Sequence, residues 1–371
     1  MKHESSLLFI FLIIIKANSI SAQVLNTGMV EQMDSSETGK VTFSGLLDTY
    51  YRFDSNEPED GNAPYFVSSA RHNEANINLA YLGIHYKNDR VRMRFYPGFG
   101  TYMNANYSNE SGSLKYLLEA NAGIRLSKKK AIWLDVGILG SPYTNESAIS
   151  KDHFMYTRSL APEYVPYYLS GLKLSIPLGA KMTVYTYLLN GWQNITETNN
   201  GKALGTQLEY RPNNKWLLNF NTYFGNETTA DTPNLSNRYF VDAYCIYNPN
   251  GMFSMTACSY FGRQTYSDTK TNAANWWQAN WTGRLRLGSA HFMAVRAEYF
   301  NDTSGIVIRN ITKAPSFRAG SLGICYSYKF QQNCMFRIEY RHFYGLNEAF
   351  IVNKVNTRQS YGITANMSVW F

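Results

Sequence analysis

Val41-Thr42-Phe43-Ser44-Gly45-Leu46-Leu47-Asp48-Thr49-Tyr50-Tyr51-Arg52-Phe53 is the stretch that decides the fold. Its odd positions are mostly apolar, and its even positions carry Asp48 and Arg52. Successive side chains of a strand point to opposite faces, so this pattern describes a strand with oil on one side and water on the other.

The two-residue period continues to the end of the chain. Over 90–96, Val91, Met93 and Phe95 oppose Arg92 and Arg94. Over 115–126, Tyr116, Leu118, Ala120, Ala122 and Ile124 oppose Lys115, Glu119, Asn121 and Arg125. Farther on, Trp277, Ala279, Trp281, Leu285 and Leu287 oppose Gln278, Asn280, Thr282, Arg284 and Arg286. Phe336, Ile338 and Tyr340 oppose Arg337, Glu339 and Arg341, and the apolar series from Tyr361 to Phe371 opposes Arg358, Ser360, Thr364, Asn366 and Ser368. Two segments, 238–247 and 317–328, are apolar on both faces.

The connections alternate as well. Short ones are rich in turn residues, such as Lys87-Asn88-Asp89-Arg90, Pro212-Asn213-Asn214 and Asn248-Pro249-Asn250-Gly251. Long polar ones fall near 54–73, 102–112, 141–166, 193–201, 227–235, 265–272, 301–314 and 346–355. Seven short turns and eight long loops join sixteen strands. The expected fold is all-β: a transmembrane antiparallel up-and-down β-barrel of about sixteen strands, with short periplasmic turns and longer extracellular loops.

Composition agrees. Of 371 residues only 17% are charged, and 29 Tyr outnumber 21 Phe and 7 Trp, which suits a surface meeting lipid, headgroup and water in turn. After residue 22 no apolar run approaches the ~18 residues of a spanning helix. The mean hydropathy of -0.34 does not count against a membrane barrel, because alternating strands average out. Residues 1–22 read as a secretory signal peptide, with the apolar run from Leu7 to Ile15 too short to span. Residues 23–40 read as a periplasmic leader and 41–371 as the barrel. A secreted β-sandwich or propeller would carry charge on its outer faces, and no blade-length repeat is visible. Trp216, Phe253 and Phe336 each follow a short turn, and Trp370-Phe371 ends the chain, like a lower interfacial girdle. The expected location is the bacterial outer membrane, among lipid and lipopolysaccharide. A last strand ending in an aromatic residue is a feature by which barrel-insertion machinery recognises such proteins.

A barrel of about sixteen strands is too wide to be filled by its own side chains, so inward residues would set selectivity. The expected pore-lining residues are Arg52, Arg92, Arg94, Lys115, Glu119, Arg125, Asp135, Lys173, Arg284, Arg286, Arg296, Arg337, Glu339, Arg341 and Arg358. Leaving Lys115 aside and counting Arg211, Arg238 and Arg318 on the same face, fourteen bases stand against seven acids, the latter including Asp48, Glu209, Asp242 and Glu298. A basic lining raises the local anion concentration, so a weak anion preference is expected. The alternative is that neighbouring opposite charges satisfy one another within the wall. The net charge of +8 does not imply nucleic-acid binding, since the bases are dispersed along strands. The longest loop, 141–166, is the expected constriction, with Glu146, Lys151, Asp152, His153, Arg158 and Glu163 setting a transverse field; an external loop without a transport role is the alternative.

No nucleophile elbow, zinc-protease or phosphate-loop motif is present, and nothing calls for a metal or a cofactor. His153 and His342 read as loop or rim residues. Of the four cysteines, Cys245 and Cys258 fall on opposite faces of a hairpin, while Cys325 and Cys334 flank a turn and could approach; buried or lipid-facing thiols are the simpler reading.

The stretch 101–176 resembles the OmpL-like β-barrel porin family (the porin-2 type) of the Bacteroidetes. The residues that carry the resemblance are Asn106-Tyr107 with Glu110, Leu118-Glu119-Ala120 with Gly123, and Leu126-Ser127-Lys128-Lys129-Lys130 with Ile132-Trp133-Leu134-Asp135-Val136-Gly137. Glu146-Ser147-Ala148, Thr157-Arg158-Ser159 and Pro166-Tyr167-Tyr168-Leu169-Ser170-Gly171 complete it. Tyr143-Thr144-Asn145 departs from the glycine-containing turn expected before Glu146. The resemblance implies an outer-membrane porin and supplies no solute. The leading expectation is passive diffusion of small hydrophilic solutes, anions included, with a homotrimer as the assembly to test. A surface adhesin or structural barrel with a plugged lumen is the second class, and an outer-membrane hydrolase the third.

Overall fold

The computed structural model describes residues 39–268, 273–314 and 316–371; the stretch read as a signal peptide (1–22) and most of that read as a leader (23–40) lie outside the described residues. The strands are β1 (Lys40–Asp54), β2 (Ala75–Lys87), β3 (Val91–Phe99), β4 (Leu117–Arg125), β5 (Trp133–Gly140), β6 (Tyr168–Pro177), β7 (Met182–Leu189), β8 (Ala203–Tyr210) and β9 (Trp216–Asn226). They continue as β10 (Leu235–Tyr247), β11 (Phe253–Tyr266), β12 (Ala274–Arg286), β13 (His291–Asp302), β14 (Phe317–Gln331) and β15 (Cys334–Gly345), then β16 (Phe350–Val352), β17 (Val355–Thr357) and β18 (Gln359–Trp370). All except β16 and β17 form one closed antiparallel barrel of sixteen strands in sequence order. Closure pairs every strand on both edges, which is what a sheet in lipid requires. At the seam Leu46 faces Trp370, and Gly45 and Phe371 exchange two backbone hydrogen bonds of 3.1 Å.

The faces follow the alternation. On β1, Val41, Phe43, Leu47 and Tyr51 are exposed on the outer wall, whereas Asp48 and Arg52 are buried inside. Phe253, Phe336 and Phe371 lie exposed near the short turns. A belt of large apolar side chains this extensive fits lipid, not water.

Three expectations need correction. Lys115 is not on a strand: it sits in a 3-10 turn, Gly112–Tyr116, that starts on a left-handed Gly112 (φ 59°), and β4 begins only at Leu117. Arg358 is exposed beyond the barrel wall, because the last long loop folds as a hairpin of β16 and β17 before β18 starts. That hairpin turns on Asn353-Lys354, both left-handed, as its two-residue turn demands. Arg318 shares the outward series of Leu322 and Ile324 on β14. The cysteines follow the simpler reading: Cys325 pairs across with Glu339 while Cys334 pairs with Gln331, so the two stand several rungs apart and all four thiols are free.

One local device steers the longest loop. Gly137 on β5 and Gly171 on β6 are register partners, with φ of 128° and 148°, and a Cβ on either would come within 2.3 Å of a backbone carbonyl. Only glycine adopts this geometry without strain. Beyond the pair the alternation stops: Ile138 and Ser170 would continue the lipid-facing series of Val136 and Leu172, yet both are buried. The chain 141–167 leaves the wall at this point.

Candidate pore and its inward loop

Loop 141–167 lies inside the barrel, and the wall grips its backbone through buried charges. Glu339 on β15 accepts the Tyr156 and Thr157 N–H groups at 2.9 and 2.8 Å and also the Thr157 hydroxyl. Arg296 on β13 donates to the Thr157 carbonyl at 2.6 Å, to its hydroxyl at 2.9 Å and to Glu339 at 3.0 Å. Glu298 accepts the Leu160 N–H at 2.6 Å and is itself paired with Arg341, which donates to the Arg158 carbonyl at 2.9 Å. Arg337 donates to the Ser150 carbonyl at 2.7 Å. On the far side, Asp242 of β10 accepts the Thr144 N–H at 2.6 Å. Acids of the wall thus hold loop donors, and bases hold loop acceptors. Such charge-assisted bonds are about twice as strong as neutral ones, and they satisfy groups that burial would otherwise penalise.

The loop is also tied to itself. Glu146 accepts the Ser159 N–H and hydroxyl at 2.7 and 2.6 Å. Arg158 lies 3.4 Å from Glu163 and over the Tyr167 ring at 4.0 Å. Glu163 reaches out to the Val67 N–H at 2.6 Å, joining the first long loop. Lys151 and Asp152 pair with each other at 2.8 Å. Five of the six charged or titratable loop residues are therefore engaged with opposite charge or backbone, leaving little open field across the lumen. Thr144 has a left-handed φ of 66°, the conformation a glycine would supply there, and Asp242 holds its N–H.

Arg52, Arg296, Arg337, Glu339 and Arg341 consequently face inward but are covered, the last four by this loop. Arg52 pairs with Asp54 at 2.7 Å beneath Phe66 of the first long loop. The upper lumen next to them is a protein core: Tyr143 and Leu160 of the loop pack with Phe240, Trp276, Phe300, Phe317, Phe343 and Phe350. The segments 238–247 and 317–328 are apolar on both faces because their inner face meets this core.

The opposite side stays hollow. A cavity of about 450 Å³ is lined by wall residues of β2 to β8, including Arg92, Arg94, Glu119, Asp135, Lys173 and Gln207, and by Glu146 of the loop. Arg92 binds Asp135 through two 2.7 Å contacts, with Lys173 at 3.5 Å, and Arg94 lies 3.4 Å from Glu119. Arg125, Arg284 and Arg286 lie at the periplasmic ends of their strands.

His153 gives the docked loop a pH dependence. Burial first, then Arg158 and Arg337, hold its imidazole well below the ordinary range. The docked ring is therefore neutral, whereas a released ring takes up a proton below about pH 6.5. Docking from this source is complete above that pH and weakens as pH falls below it. Glu146 runs the other way: burial raises its carboxyl despite Arg296, so its contribution declines as pH rises past the usual carboxylate range. Single-channel current noise should increase between pH 7.5 and 5.5, and His153→Gln should remove that increase. An equal increase in the variant rejects His153 as the source.

Residues 40–371 match the family described as "Putative beta-barrel porin-2, OmpL-like". No curated protein matches the chain. Solved structures of similar fold include an anion-selective porin from Comamonas acidovorans, with a TM-score of 0.59 at 9% identity over 90% of this chain and 100% of that one. The outer-membrane channel DcaP of Acinetobacter baumannii also has a TM-score of 0.59 at 9% identity, over 90% of this chain and 99% of that one. The trimer form of OmpT, an outer membrane protein of Vibrio cholerae, reaches 0.58 at 11% identity over 90% of this chain and 100% of that one.

Proposed function

The chain belongs to the putative β-barrel porin-2, OmpL-like family, and from that premise we propose that it conducts small hydrophilic solutes along an off-centre path beside β2 to β8. It is a porin of the bacterial outer membrane. The observation that carries the path is the division of the lumen: the loop fills the β10–β15 side, and the cavity lies on the other. Loop 141–167 acts as the constriction, and Arg92, Arg94, Lys173, Glu119 and Asp135 line the conducting side. Transport is passive, the chain catalyses nothing, and small anions pass at least as readily as cations. The assembly is a homotrimer set in outer-membrane lipid and lipopolysaccharide, inserted by machinery that reads the last strand.

A second reading has its own observation. Tyr65 of the first long loop packs on Phe317 and Phe350 at 4.6 and 5.7 Å, which roofs part of the outer mouth. A fully roofed barrel would be a surface-binding protein without conductance.

Planar-bilayer recording of the refolded protein under a salt gradient separates the two. Steady open steps support the channel, and a folded but silent barrel rejects it. Asp135→Asn should strengthen anion preference. It removes one negative charge beside two cations, and at about 6 Å in water that is roughly 0.7 kcal/mol, or about threefold for a monovalent anion and the inverse for a cation. An unchanged reversal potential would place the path elsewhere.

A further inference from the structure

The inner wall neutralises most of its cations in place. Arg92 and Lys173 share Asp135, and Arg94 has Glu119. Arg211 has Glu209, Arg296 has Glu339, and Arg341 has Glu298. Among the described residues no carboxylate lies within ion-pair distance of Arg238, which lies against the Trp192 and Trp276 rings.

Arg125 stands singly and donates to the Lys130 carbonyl at 3.2 Å, whereas one group of cations is clustered. Arg284 and Arg286 stand two residues apart on the same face of β12, at its periplasmic end. Lys329 is two strands away: the rung of Arg286 runs through Phe292 to Ser327, and Lys329 is the next residue on that face of β14. Their hydrogen bonds go to uncharged groups. Arg284 donates to the Asn248 side-chain oxygen at 3.0 Å and lies over the Phe154 ring at 4.2 Å, and Arg286 donates to the Gly288 carbonyl at 3.1 Å. Among the described residues, none of the three has a carboxylate within ion-pair distance, and the charges acting on Lys329 are the two arginines. Arg286 is exposed and the other two are half-buried, so solute can reach them.

Three like charges on one wall repel one another, and a multiply charged anion relieves that repulsion. Two guanidinium groups also offer paired N–H donors that match phosphate oxygens. We propose that Arg284, Arg286 and Lys329 form a subsite for phosphate-bearing, multiply charged solutes at the periplasmic mouth. The subsite sits on the rim of the conducting lumen proposed above, and its role in transport rests on that reading. It differs from a general basic lining in having one location and one sidedness. Phe154 floors it, so the tip of the inward loop and the anion meet at the same arginine.

The test uses the full refolded barrel and tripolyphosphate as probe. Titration in detergent at low salt, followed by phosphorus NMR or calorimetry, should give saturable binding that weakens as chloride is added. The variant carrying Arg284→Gln, Arg286→Gln and Lys329→Gln should lose at least about tenfold in affinity, given three charge-assisted contacts. Arg286→Gln alone changes an exposed side chain and should lose about threefold with the barrel still folded, checked by heat-modifiable gel mobility. Lys128→Gln, Lys129→Gln and Lys130→Gln in the exposed turn 126–132 should leave affinity within about twofold, since no wall surrounds them. Wild-type affinity in the folded triple or single variant, or an equal loss in the turn variant, overturns the subsite. In bilayers tripolyphosphate should block from one side only; equal block from both sides also overturns it. Binding by a silent barrel would keep the subsite and reject the porin path, whereas conduction without binding does the reverse.

Discussion

Excising residues 144–159 and bridging the gap with a short glycine-serine link should raise unit conductance several-fold while the barrel stays closed. The removed segment contributes no barrel strand; its largest service is to fill the β10–β15 side of the lumen. Once it is gone, Arg296, Glu298, Arg337, Glu339 and Arg341 are returned to water, where each charge is solvated and its loss of a loop partner costs little. A sixteen-strand barrel without an inward segment leaves a wide aqueous channel. The measurement is the step size of single channels, with gel mobility as the check on closure. An unchanged step size would show that the aromatic roof of the outer mouth, and not the loop, limits flow.

Arg296→Met should have the largest effect on stability, about 3–5 kcal/mol, because it leaves charged partners buried without compensation. The guanidinium lies 3.0 Å from Glu339, 3.7 Å from Glu298 and 3.8 Å from Glu146. Without it, three carboxylates crowd one dry site, and the Thr157 carbonyl loses its donor. The loop should detach, the thermal transition should fall by many degrees, and channel noise should rise. Adding Glu339→Gln to the Met variant should restore part of the loss by removing one of the stranded charges. A variant that melts like the parent would mean that water already reaches this cluster and that the loop is held elsewhere.

These two changes touch residues whose inward placement was readable in the sequence, but their work was not. The alternation from Val41 to Phe53 assigned Asp48 and Arg52 to the inner face, and the same rule placed Arg296, Arg337, Glu339 and Arg341. Periodicity reports which face a side chain occupies and is blind to what stands in front of it. For that reason the charges of β13 and β15 read as pore lining, although a segment more than a hundred residues away covers them. The two-sided apolar segments were the one signal of the internal core, since an inner face that meets water has no use for Phe240 or Phe317. Lys115 and Arg358 failed for a different reason: alternation was extended past the strand ends, where a 3-10 turn and a small hairpin take over. The block of family resemblance marked the site better than the charges did. Glu146, Thr157, Arg158 and Ser159 are among its residues, and all four take part in holding the loop. Glu110 likewise accepts the Tyr168 hydroxyl at 3.0 Å and the Ile195 N–H at 2.7 Å.

The grip of Arg296, Glu298, Arg337 and Glu339 on the loop has a consequence for the order of assembly. Its bonds join residues 138 to 187 positions apart, so the loop emerges long before the strands that will hold it. Neighbouring hairpins can pair as they are made, but these contacts must wait until the last third of the chain is in place. The narrowing of the lumen is therefore a late event of folding, and the barrel passes through a stage in which its wall is formed and its interior is still wide.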